Sequence, residues 1–156
     1  ISPKAFQKWE VLKSFSGKAL DTNNLIFVGV RDTEEPEDFL IKARDIKNFE
    51  VEDVKKEGGK AIGEQILNSL SNCDMLYVSF DVDSMDPLET SHGTGTPVPN
   101  GIPVKKVTEL LQTLCKSPKL VCFETVEVNP ALDEKKNKMA EVTINILEKV
   151  AEVISE

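Results

Sequence analysis

The sequence has a single histidine, one tryptophan and one tyrosine in 156 residues, and its basic residues are outnumbered by acidic ones. Nineteen Lys and Arg against 27 Asp and Glu leave a net charge of −8. That balance excludes the clustered positive surface by which a protein holds nucleic acid or an anionic membrane. No apolar run reaches membrane-spanning length, and nothing in these residues reads as a signal peptide. The three cysteines, Cys73, Cys115 and Cys122, lack CxxC spacing and an even count, so a disulfide framework and a zinc ribbon are both excluded. Each sits in or beside an apolar run, and the expectation is three reduced core thiols in a cytoplasmic protein. What is present is ordinary for a globular chain: 40% hydrophobic and 29% charged residues, enough for one domain with a substantial core.

Apolar runs alternate with amphipathic ones, without repeats or a low-complexity linker. ISPKAFQKWEVLKSF has room for a short helix. LIFVGV, Leu25 to Val30, is a continuous run of strand length, followed by the polar cluster RDTEEPED and a helix through Arg44. KNFEVE reads as a second short strand. From Asp53 onward, Val54, Ala61, Ile62, Ile66, Leu67 and Leu70 recur at helical spacing across the pair Gly58 and Gly59, predicting one helix. MLYVSFDVD is a strand; a loop rich in Gly, Thr and Pro precedes a helix from Val104 to Cys115. LVCFETVEV is the last strand, and Val142, Ile146, Val150 and Ile154 mark the last helix. Strand and helix alternate throughout, which predicts an α/β fold, a parallel sheet with helices on both faces in three layers, and no internal domain boundary across 1–156.

In open parallel sheets ligands bind beyond the carboxyl ends of the strands. Acid clusters stand at that edge three times: RDTEEPE after LIFVGV, DVDSMD after MLYVSF, and ETVEVNP closing the last strand. Residues two apart on a strand point the same way, so Asp81 and Asp83 are expected to converge, and converging carboxylates suit a hard cation or simply cap the next turn. An EF-hand loop from Asp81 fails, because its fifth, sixth and twelfth positions hold Met85, Asp86 and His92. A phosphatase with Asp81 as nucleophile also opens on a strand followed by DxD, but Met85 stands where such enzymes usually carry Thr or Val. GTGTP has the glycines of a phosphate cradle without the following lysine, and reads as a shaped loop.

Taken in order and spacing, GVRDTEEPE, SFDVDSMDP, GTGTPVPNG and ETVEVNP resemble the motifs of the ureohydrolase superfamily, from about Leu25 to the C-terminus. Within it GVRDTEEPE and VEVNP are closer to the arginases than to the agmatinases. The resemblance implies a hydrolase that binds two Mn²⁺ ions and converts L-arginine to L-ornithine and urea through a hydroxide bridging the ions. It implies Asp81 and Asp83 as metal ligands, Glu127 as the partner of the substrate guanidinium, Thr96 at the substrate pocket, and Glu34 and Glu37 as acids reading the substrate's α-amino group. At Glu34 the family more often has Asp. Asp86 matches no ligand and is expected to cap the turn at Pro87. His92 falls in a variable part of the loop and is expected to face solvent.

A dimetal site needs more ligands than two aspartates, and histidine is the usual nitrogen donor. The family carries its histidine ligands and its proton-shuttling histidine before RDTEEPE, and this sequence has only His92. The chain begins at Ile1 rather than methionine. These points together give the expectation of a C-terminal portion of one ureohydrolase domain, inactive alone, with an exposed sheet edge and apolar face that favour association into a homo-oligomer. Agmatinase or another guanidino hydrolase, the DxD phosphatase and a non-catalytic interaction module are the competing readings.

Overall fold

β-branched and aromatic residues set the strands, and they are shorter than the apolar runs that contain them. In the computed structural model, which describes residues 3–16 and 20–155, β1 covers Ile26–Val28 and β2 covers Lys47–Phe49. The longer strands are β3, Leu76–Asp81, and β4, Leu120–Val126. β1 pairs with β2 and β3 with β4, both in parallel, and among the described residues the two pairs are not hydrogen-bonded into one sheet. The helices are α1, Pro3–Ser16; α2, Glu35–Ala43; α3, Val51–Glu57; α4, Gly59–Ser69; α5, Val104–Cys115; and α6, Lys138–Ile154. None is long and apolar enough among the described residues to cross a membrane.

The alternation along β3 buries Leu76, Val78 and Phe80 and turns Tyr77 and Ser79 outward. The buried three share one cluster with Ile62 and Ile66 of α4, Leu110, Leu111 and Leu114 of α5, and Val142, Ile146 and Val150 of α6. Phe49, Val51 and Val54 extend the same cluster to the β1–β2 pair. On the outward face Tyr77 is 56% exposed and Met75 69%. Cys122, opposite Tyr77 in the register, lies on that open face. The expectation of three core thiols therefore holds fully only for Cys115, whose thiol burial pushes up to about 11. Cys73 is half-buried, and Cys122 is exposed because its strand position points away from the helices.

The helix read as continuous from Asp53 is two helices. Gly58, at φ 93°, breaks the run between α3 and α4, in a region of backbone space that side-chain-bearing residues avoid. Gly59 then opens α4 against the backbone of α5, where an added β-carbon would lie 1.9 Å from the Lys106 carbonyl oxygen. Gly63, one turn on, faces Thr113, with an added β-carbon 2.8 Å from its Cβ. The glycine pair that disturbed the helical pattern is thus what lets two helices touch. A helical Gly→Ala change ordinarily stabilises, by about 0.5–1 kcal/mol. Gly59→Ala is expected to do the opposite and lower the unfolding free energy by about 2–3 kcal/mol, the size of overpacking a close contact. A urea unfolding curve checks it; unchanged or raised stability would show that α4 and α5 can separate freely.

Candidate functional site at the carboxyl ends of the strands

Asp81 is the last residue of β3, and Asp83 lies beyond it in a 3₁₀ turn over Val82–Ser84. The two are therefore not neighbours on one strand face, as the spacing predicted. They meet because the chain turns: Asp83 N–H donates to Asp81 Oδ1 at 3.0 Å, an Asx-type cap, and Ser84 Oγ donates to the Asp81 carbonyl at 2.7 Å. Both carboxylates are half-buried. Burial pushes the Asp81 carboxyl up to about 6; the Asp83 N–H works against this, while the Asp83 carboxyl and the Glu127 charge add to it. The site crowds negative charge, and among the described residues no ion pair is made to Asp81, Asp83 or Glu127.

The rest of the site comes from the loop after the turn and the end of β4. Thr96 Oγ1 donates to Asp83 Oδ2 at 3.0 Å. Glu127 follows directly on β4 at φ 66°, a left-handed conformation costing about 1 kcal/mol for a residue with a β-carbon. Gly95 packs against it: a β-carbon there would sit 3.5 Å from Glu127 Oε2. Asp81, Asp83, Thr96 and Glu127 are thus brought to one edge. Glu34 and Glu37 are placed otherwise. Both are exposed at the start of α2, where Glu34 is the N-cap and its backbone N–H donates to Glu37 Oε2 at 2.9 Å. Among the described residues neither makes a hydrogen bond to the other four. Asp86 caps its turn as expected, accepting from Leu88 N–H at 2.9 Å. His92 is exposed, with Nδ1 3.6 Å from Glu134.

Sequence reasoning missed Arg31. Its guanidinium, half-buried beneath the turn, donates to the carbonyls of Asp83 at 2.8 Å and Val98 at 2.6 Å. Longer contacts reach the carbonyls of Gly29, Ser84, Met85 and Pro99. One planar cation therefore ties the end of β1 to both ends of the loop that carries Thr96. The available signal was an arginine directly after the apolar run LIFVGV. The loop is closed by a bridge between Met85 and Ile102, with Asp86 N–H donating to the Ile102 carbonyl at 3.1 Å.

Whether these residues suit a metal can be judged from the donors. Two half-buried carboxylates joined by one Asx turn are hard oxygen donors of the kind divalent cations take. Among the described residues no group of three or more His, Cys, Asp or Glu side chains is assembled for an ion. The donors fit in type, and further ligands are needed.

An α/β unit of parallel strands with helices, carrying its acids at the strand ends, is a fold found in solved hydrolases. Helicobacter pylori arginase superposes with a TM-score of 0.87 at 27% identity, covering 100% of this chain and 54% of that one. Entamoeba histolytica arginase, solved in complex with L-ornithine, superposes with a TM-score of 0.77 at 31% identity, covering 92% of this chain and 46% of that one. The curated arginase of E. histolytica is 35% identical over 124 residues, 80% of this chain and 42% of the relative. A model of the arginase family matches residues 8–152. The chain belongs to the arginase family, and it spans less than half the length of that curated relative.

Arg31→Ala is expected to cost about 2–3 kcal/mol in unfolding free energy, since bonds from a charged donor to partly buried carbonyls are each worth up to that amount. Arg31→Lys should recover less than half, because one ammonium cannot span carbonyls on three segments. Urea denaturation of both variants tests this, and full rescue by lysine would show that charge alone suffices.

Proposed function

We propose that the protein carrying this chain is a ureohydrolase, an arginase that hydrolyses L-arginine to L-ornithine and urea, with manganese as its metal. The observation that carries this reading is the meeting of Asp81, Asp83, Thr96 and Glu127 at one strand edge in a chain of this family. Asp81 and Asp83 would hold the cations. Bound there, divalent ions would supply the electrophilic activation of water that attack on a guanidinium carbon requires.

The remaining chemistry belongs to the chain's own groups. Glu127, fixed by its left-handed backbone and by Gly95, presents a carboxylate to a planar cation, as guanidinium recognition requires. Thr96, by donating to Asp83, fixes that carboxylate's rotamer and so the direction of its free lone pairs. Water adds to the guanidinium carbon, the bond from that carbon to the substrate's ε-nitrogen breaks, and the departing amine takes up the protons that the water gives up as its oxygen becomes that of urea. His92 does not serve that last role in this reading, since it is exposed and beside Glu134. Further metal ligands and a proton carrier come from residues other than those described, within the same domain. A homo-oligomeric state is also part of the proposal, supported by the open face at Tyr77 and Met75.

Agmatine is the competing substrate. The observation that favours it is that Glu34 and Glu37 are engaged with each other in the cap of α2, and among the described residues make no hydrogen bond to the other four, whereas those acids were to read the amino-acid end of arginine. Urea release from each substrate by the full-length protein with Mn²⁺ decides between them, and arginine is expected to be preferred. Asp81→Asn and Asp83→Asn should each lower kcat by about 10²–10³-fold, and Glu127→Gln should act mainly on KM. The 156-residue chain alone is expected to release no urea; release at a rate matching the full-length protein would overturn the need for further ligands.

A further inference from the structure

The loop that carries Gly95 and Thr96 is anchored at a point that none of the site residues explains. Ser91, fully buried, donates its hydroxyl to Asp133 Oδ2 at 2.7 Å and accepts the Gly93 N–H at 3.2 Å. The same Asp133 oxygen accepts Met139 N–H at 2.8 Å in the first turn of α6, and Oδ1 accepts Lys135 N–H at 2.8 Å. Lys135 Nζ in turn donates to the carbonyls of Thr90 at 3.0 Å and Pro87 at 3.3 Å. At Gly93 an added β-carbon would lie 2.7 Å from Met139 Cβ and 2.8 Å from Asp133 Oδ2, so the loop is seated against α6 with no room to spare.

From this seat the loop reaches the acids of the site. The Gly93 carbonyl accepts Asn129 N–H at 2.8 Å, two residues beyond Glu127. Gly95 packs on the Glu127 carboxylate, and Thr96 donates to Asp83. We propose that Asp133 is a positioning residue that acts through Ser91, holding residues 91–96 against α6 so that Glu127 keeps the orientation needed to bind a guanidinium. The dependence is geometric: Glu127 sits in a strained backbone conformation, and its downstream neighbour Asn129 is pinned by the carbonyl that the Ser91–Asp133 bond keeps in place. Without the pin the strained residue is free to relax.

The kinetic part of the test rests on the ureohydrolase reading; the exchange part does not. Ser91→Ala removes one hydroxyl and caps no helix, so α6 keeps its Asp133 contact to Met139. In the full-length protein with Mn²⁺, Ser91→Ala is expected to raise KM for arginine by about tenfold with kcat within about threefold, the loss of roughly one well-formed hydrogen bond expressed in substrate binding. A purely structural role would lower kcat through a smaller active fraction and leave KM unchanged, and that outcome overturns the proposal. Hydrogen exchange read on the Gly93 and Asn129 amides should accelerate about tenfold in the variant while the amides of α5 keep their rates. Should the unsubstituted protein hydrolyse no guanidino compound, the functional reading fails and exchange alone decides: acceleration at both amides supports the clamp, and unchanged rates overturn it.

Discussion

Carboxylates gathered at the end of a half-buried strand repel one another, and everything built around Asp81 answers to that repulsion. The turn brings Asp83 back onto it, Glu127 adds a third negative charge from just beyond the next strand, and these charges add to the burial that is the larger reason the Asp81 carboxyl is held above its ordinary range. An arrangement with so much like charge persists only when the backbone around it leaves no alternative. Arg31 supplies that constraint by spending its donors on carbonyls rather than on the acids. Its guanidinium stitches three segments together and leaves the acids' negative charge available to a ligand.

The same logic applies to the loop from Asp86 to Gly101, which has no helix or strand of its own. Besides its own turns it is bonded to residues outside it at several points: Arg31 at its far end, Glu134 at His92, Lys135 at Pro87 and Thr90, and Asp133 at Ser91. A loop tied at that many points behaves as part of the scaffold. It places Thr96 and Gly95 against acids contributed by two different strands, so the site's geometry depends on the loop's seating as much as on the sheet.

The strands and most helices were legible in the sequence because their signals are local. Val104 to Cys115 was read from periodicity and stands unchanged as α5. The break at Gly58 was not read, since the apolar spacing runs straight through it and only a positive φ and the nearness of the Lys106 carbonyl explain it. Asp83 was placed on the strand when it belongs to the turn; a local Asx hydrogen bond outcompeted one more ladder position. Among the site residues, the motif pointed to Asp81, Asp83, Thr96 and Glu127, which the fold does gather. Arg31, Ser91 and Asp133 escaped notice because the bonds by which they tie distant segments, Arg31 to the Asp83 and Val98 carbonyls and Ser91 to Asp133, span 42 or more residues, and most of their other partners are backbone groups, which leave no mark on side-chain pattern. Cys122 escaped because which strand face is covered cannot be read from an apolar run alone.

The central claim is that the Asp81–Asp83 turn is the cation-binding end of a site whose guanidinium-binding end is Glu127. Anomalous diffraction at the manganese edge, from crystals of the full-length protein grown with Mn²⁺, tests it most directly. The account predicts manganese peaks within bonding distance of the Asp81 and Asp83 carboxylates. Fully occupied manganese elsewhere in the protein, with no density against these two residues, would contradict it.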